Sequence, residues 1–232
     1  MPFTPSHAAA VLPLVRVLPP SALVVGAVAP DLPYYVPVPV PPALTHSPFG
    51  LGADVLLGAC LLAVYLYALR APLHALAGLE PPAPPRPGPR GAALAAAALA
   101  AGSATHMLWD SFTQTRGALV QVWPLLSTPV VGPHLLYNVL MYASSALGLA
   151  AVLWWAAARA RAHTRGPLPA AALAAVAACA LGGTVLGGLS GHPAESGYDL
   201  VRAALVGTLT GTALGLAAWS ALWWARRLLP FP

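Results

Sequence analysis

His106 and Asp110 stand four residues apart in the run Thr105-His106-Met107-Leu108-Trp109-Asp110, so a helix would present them on one face. Three further polar positions stand out in a chain that has few: Ser6-His7, Ala29-Pro30-Asp31 and Thr45-His46-Ser47. Neutral imidazole nitrogen and carboxylate oxygen are donors that zinc, manganese and iron(II) accept. His7, Asp31, His46, His106 and Asp110 therefore form a candidate ligand set for a divalent metal ion. Such an ion polarises a phosphoryl or carbonyl oxygen and lowers the pKa of bound water. His7 and Asp110 are the candidates for catalytic roles beside it, His7 as a ligand or as a general base. Thr4, Thr45, Thr105 and Ser111 adjoin these residues and are candidates to orient them.

A single His-x-x-x-Asp recurs by chance, and ionisable groups at a membrane edge can simply be solvated. Ionisable groups inside a membrane are costly, however, which favours a functional reading of the five together. Asp54, a turn or two inside an apolar run, stands between the two readings. His134 and His192 read as exposed, and His74 and His163 fall on the face away from the cluster. Asn138, Tyr142 and Ser145 make a polar stripe suited to interhelical hydrogen bonds. Arg116 reads equally as a solvated loop residue and as a contact for a phosphate.

The elements that must position these residues are membrane spans. The chain is 58% hydrophobic and 7% charged, where a soluble domain carries roughly a quarter charged residues. Among 232 residues with 27 prolines, long stretches contain no proline, and a bilayer helix needs about 20 apolar residues. The spans expected are Gly50–Leu69, Gly91–Phe112, His134–Ala158, Leu168–Leu189 and Leu200–Trp224. The expected fold class is all-α: a polytopic transmembrane helix bundle of five full spans in one membrane domain over 1–232. Within it, 1–160 holds the candidate metal site and 167–229 a C-terminal helical hairpin. All eleven basic residues are arginine. Eight of them (Arg70, Arg86, Arg90, Arg159, Arg161, Arg165, Arg226 and Arg227) fall on one side of five spans, which assigns that side and the C-terminus to the cytoplasm. Trp154, Trp155, Trp223 and Trp224 fit an aromatic belt at that side.

Arginines that flank spans do not make the continuous patch of a nucleic-acid binder. Cys60 and Cys179 lie in apolar runs and read as buried packing residues. The first residues lack the basic region of a signal peptide. Glycines at four-residue spacing, Gly183, Gly187, Gly191 and Gly207, Gly211, Gly215, predict a close pair formed by the last two spans. The loop GLEPPAPPRPGPRG reads as an extended linker.

The first fifty residues differ. Pro13, Arg16, Pro19 and Pro20 interrupt any long span, and two short arms, Ser6–Val17 and Ser21–Ala29, fit a re-entrant or interfacial hairpin turned at Pro19-Pro20. One kinked span from Ala8 to Ala29 is the other solution. The choice matters, because a straight helix would separate His7 from Asp31 by about 35 Å. A hairpin returns both to the level of His46, His106 and Asp110.

MPFTPSH, GAVAPDLPYY, LTHSPFG followed by Asp54, and ATHMLWDSFTQTRG followed by VQVWPLL and YASSALG resemble a family of bacterial membrane proteins of unknown function. That family is similar to the inner-membrane metal-dependent hydrolases, which share the order early His, Pro-Asp, Thr-His-Ser, His-x-x-x-Asp. The resemblance covers about Met1 to Trp155. It implies that His7, Asp31, His46, His106 and Asp110 occupy metal-site positions and that Asp54 matches an acidic position. The chain departs from the hydrolases after Pro-Asp, where Leu32-Pro33-Tyr34-Tyr35 stands in place of the further His or Asp they often have, which weakens the inference of a two-metal site. The expected function is a metal-dependent hydrolase in the cell (inner or plasma) membrane, acting on a lipid-like or phosphorylated substrate at the bilayer surface. The competing expectation is a small transporter or scaffold whose His and Asp relay protons or fix helix packing.

Overall fold

A computed structural model describes residues 3–86, 88–161, 166–190 and 197–229. It opens with a 3-10 arm, Thr4–Arg16, then α1 (Pro20–Val28), a 3-10 turn (Ala29–Tyr34), α2 (Pro42–Thr45), α3 (Leu51–Val64), a π segment (Tyr65–Leu69) and α4 (Arg70–Leu76). There follow α5 (Pro89–Thr113), α6 (Ala118–Val122), the short strands β1 (Pro129–Val131) and β2 (His134–Leu135), α7 (Leu136–Arg161), α8 (Ala170–Ser190) and α9 (Gly197–Leu228). Among the described residues, five helices are long and apolar enough to cross a membrane: Pro48–Leu76, Pro89–Val122, Leu136–Ala160, Ala170–Leu189 and Ala203–Leu228. The chain divides into two compact units, Met1–Ala63 with Arg86–Ala162, and Val64–Pro85 with His163–Pro232.

In the first unit the two N-terminal arms form as a hairpin, which removes the single kinked span from consideration. Pro20 opens α1 at a position where its missing N–H costs nothing. The first arm is 3-10 rather than α. Ser145 Oγ on α7 accepts a bond from the Phe3 backbone N–H at 3.1 Å, so one member of the polar stripe ties the arm down. Asn138 instead accepts locally from the Leu135 N–H, and Tyr142 faces the ring of His134. The third span starts at Leu136 rather than His134, because residues 129–135 form a β-hairpin turned at Gly132, whose φ is +54°. His134 is exposed, as expected.

The second unit shows why the first span outruns its expected end at Leu69. Pro72 has no N–H for the Ala68 carbonyl. The Trp224 indole donates to that carbonyl at 2.9 Å, and Trp219 donates to the Pro72 carbonyl at 2.8 Å. With the freed acceptor satisfied and the π segment absorbing the distortion, the helix continues to Leu76.

α8 and α9 pack through their glycines. A Cβ on Gly187 would lie 3.1 Å from the Gly207 Cα, and one on Gly211 would lie 3.2 Å from the Gly183 Cα. Thr184 and Thr208 share a hydroxyl bond of 2.7 Å across the pair. Gly187→Leu or Gly211→Leu should destabilise the protein by about 1–3 kcal/mol, the cost of overpacking, and a thermal-unfolding scan in detergent checks this. Gly191, His163 and His192 lie outside the described residues. Cys60 and Cys179 are exposed free thiols, not buried ones. The lipid-facing side of a span is as apolar as its packed side, so apolar runs do not distinguish the two.

Candidate metal centre

All five candidate residues come together in the first unit, each from a different local structure except the His106–Asp110 pair. His7 sits on the 3-10 arm, Asp31 in the turn after α1, His46 directly after α2, and His106 and Asp110 at the end of α5. Leu99, Ser103, His106 and Asp110 are buried at spacings of four, three and four, which fixes one face of α5 toward the arms.

The approach of α1 to α5 is unusually close. A Cβ on Gly102 would lie 2.5 Å from the Leu23 carbonyl oxygen and 2.6 Å from the Ala27 nitrogen. That contact lets Ser103 donate to the Gly26 carbonyl at 3.1 Å and His106 Nδ1 donate to the Ala27 carbonyl at 2.8 Å. Carbonyl oxygen only accepts, so Nδ1 carries the proton and Nε2 points to the centre with its lone pair. His46 is set the same way, with Nδ1 donating to the Pro42 carbonyl at 3.0 Å. Thr45 bonds the Pro30 carbonyl at 2.8 Å and so holds His46 beside Asp31.

His46 Nε2 lies 3.1 Å from Asp31 Oδ1 and 3.7 Å from Asp110 Oδ2. His106 Nε2 lies 3.6 Å from each of the same two oxygens. His7 Nε2 lies 3.5 Å from Asp110 Oδ1, and its ring stacks on His106 with centroids 3.9 Å apart. Two sets, His7–Asp31–His106 and His46–His106–Asp110, each keep their donor atoms within 4.8 Å of one another. The two sets adjoin each other, because both contain His106.

The donor set fits a divalent ion. His7 Nε2, His106 Nε2 and Asp110 Oδ1 are buried without a hydrogen-bond partner, and buried polar atoms are rarely left so. Acceptors that face acceptors repel unless positive charge lies between them. Ligands about 2.0–2.1 Å from one ion stand roughly 3.0–3.4 Å apart, close to the separations given above. Burial and the stacked His106 hold the His7 imidazole at a pKa of about 4, so it is neutral and its lone pair is available. Burial alone would raise the Asp31 carboxyl. The imidazoles beside it and the Thr4 hydroxyl outweigh burial and hold it below its usual range.

The cluster opens on one side. The His46 side chain is 20% exposed, whereas those of Asp31, His7 and His106 are 1% or less. Tyr34 stands edge-on to His46 at 5.6 Å. Tyr35 shares a 2.9 Å bond with Thr4, whose hydroxyl donates to Asp31 Oδ2. Thr4 and Thr45 therefore support candidate ligands. Thr105 and Ser111 do not, because both donate back to their own helix, to the carbonyls of Gly102 and Leu108. Arg116 is exposed, and His74 belongs to the second unit. Asp54 is fully buried, not solvated.

Three residues at the site were not singled out by sequence: Tyr34, Tyr35 and Gln114, whose amide donates to Asp110 Oδ2 at 3.3 Å. The four-residue step from Asp110 to Gln114 was the available signal. Groups that orient metal ligands typically contribute about 10–100-fold to affinity. Thr4→Val should accordingly weaken Zn²⁺ binding by about that factor, with Tyr35→Phe having a smaller effect in the same direction. Chelator-competition titration measures both.

A family model described as "Domain of unknown function (DUF4184)" matches residues 1–221 of the chain. No curated protein and no solved structure matches it.

Proposed function

The chain belongs to the DUF4184 family, whose function is unknown, and from its polar cluster we propose that it is a membrane-embedded metal-dependent hydrolase. The observation that carries this reading is that His7, Asp31, His46, His106 and Asp110 gather into two three-donor sets that share His106, with buried donor atoms that have no hydrogen-bond partner. The resemblance of the motif order to the inner-membrane metal-dependent hydrolases supports the reaction class. Zn²⁺, Mn²⁺ or Fe²⁺ bound there would supply polarisation of a phosphoryl or carbonyl oxygen and acidification of water.

The protein's own groups have distinct parts. Asp31, His46 and His106 are held by Thr4, Pro42 and Ala27 and act as ligands. His7 has no hydrogen bond at either ring nitrogen, so it serves as a ligand through Nε2 or takes a proton as a general base. Asp110 is held at Oδ2 by Gln114 and keeps Oδ1 for a ligand bond or a proton. Substrate approaches past His46, Tyr34 and Tyr35. Because that opening lies at the end of a span, the substrate class is lipid-like or phosphorylated, such as a phospholipid or a prenyl diphosphate. The membrane is the cell (inner or plasma) membrane, and the clustered arginines put the C-terminus in the cytoplasm. A C-terminal reporter fusion active only outside the cytoplasm contradicts that orientation.

The test is elemental analysis of detergent-purified, tag-free protein, followed by hydrolysis assays on both lipid classes with and without chelator. Divalent metal near one per chain and chelator-sensitive cleavage are expected. Wild-type protein that holds no divalent metal under reconstitution removes the hydrolase reading and leaves a proton-relay or packing role for the cluster.

A further inference from the structure

Asp54 lies in the first turn of α3 with no exposed surface, yet neither carboxylate oxygen has a hydrogen-bond partner. An acid near a helix start ordinarily accepts from the free N–H groups there or meets solvent beside them. Asp54 does neither, so capping does not explain it.

Its position in the fold is specific. Asp54, Gly58 and Leu62 are the buried residues of α3, at four-residue spacing. A Cβ on Gly58 would lie 2.9 Å from a side-chain carbon of Leu99 on α5. α3 starts and α5 ends at the level of the centre. One turn from Gly58 toward that level reaches Asp54, and one turn from Leu99 reaches Ser103, which precedes His106. Asp54 therefore stands about one turn deeper than His106. An isolated buried carboxylate is very costly in an apolar medium. Among the described arginines of the first unit, Arg16, Arg86, Arg90, Arg116 and Arg159 are exposed, whereas Asp54 is fully buried.

We infer that Asp54 is the outer carboxylate of the metal centre. It is an anion behind His46 and His106 that does not ligate the ion but raises the centre's affinity for a divalent cation. Among the described residues, the donor sets that close on a common point do not include it, which separates its role from that of Asp31 and Asp110. Those two already match a dication in formal charge. A third negative charge, placed where only the imidazoles and the ion can answer it, biases the site toward the multiply charged ion. The inference rests on the metal-centre reading above and adds a residue that no ligand geometry would have picked out.

Asp54→Asn keeps the shape and removes the charge. Metal-stripped wild type and variant are titrated with Zn²⁺ and with Mn²⁺ against a competing chelator, and each stripped protein is also unfolded thermally. The variant should bind about 10–100-fold more weakly, the usual scale for groups around the ligands. Its stripped form should unfold at the same temperature as the stripped wild type or higher, because a buried unpaired charge is gone. A merely structural Asp54 gives the opposite pattern, with unchanged affinity and a lower unfolding temperature, and that result overturns the inference. A variant that fails to fold without metal overturns it as well. Wild type that binds neither ion brings down the metal centre itself, an outcome distinct from an unchanged affinity in the variant.

Discussion

His106→Ala should abolish metal retention while leaving a folded protein. His106 belongs to both donor sets and is completely buried, and its proton is fixed on Nδ1 by the Ala27 carbonyl. Removing a ligand outright costs more than removing a group that orients one, so an affinity loss above about 100-fold is expected. Purified variant should then carry metal at background level by elemental analysis. The alanine also removes the surface on which His7 stacks, and a cavity of that kind costs roughly 2–4 kcal/mol. Asp110→Asn supplies a control that preserves volume, and it too should lower metal content, because Asp110 Oδ1 and Oδ2 face His7, His46 and His106. If both variants keep wild-type metal content while remaining folded, the ion binds elsewhere and the cluster is a packing network.

The second large effect is expected at Gly102. In this close approach of α1 to α5, its Cα faces the backbone of Leu23, Gly26 and Ala27. Backbone cannot move aside as a flexible side chain can. Gly102→Val should therefore exceed the usual overpacking cost of about 1–3 kcal/mol and lower the unfolding temperature by roughly 10 °C. It should also reduce metal content, because separating α1 from α5 breaks the bond from His106 to Ala27 and shifts Asp31 in the turn directly after α1. Gly187→Leu offers a contrast. It loads a glycine contact of similar closeness in the second unit, and metal content should stay at the wild-type level. Unfolding scans and elemental analysis of the two variants side by side separate a general loss of stability from a specific loss of the centre. Equal metal loss in both would mean that the site depends on overall stability, not on the α1–α5 contact.

The five spans were legible in the sequence because lipid imposes a single demand on every span: a long proline-free apolar run with its backbone satisfied inside the helix. His7, Asp31, His46, His106 and Asp110 were legible for a related reason. Polar groups are expensive in such a chain, and the few present stand out by type. The turn at Pro19-Pro20 even indicated that His7 and Asp31 return to one level. Tertiary structure decided what depends on partners distant in sequence. Helix continuation through Pro72 depends on indole donors from Trp219 and Trp224, 147 and 156 residues away from their acceptors. The proton positions on His46 and His106 depend on carbonyls of Pro42 and Ala27. Gly26 and Gly102 look like ordinary glycines in apolar helices until the two backbones are seen to touch. Asp54 stood undecided between a functional role and simple solvation, because one acid in a first turn has the same local pattern either way. Only the packing of Gly58 against Leu99 turns that face of α3 inward and buries its carboxylate.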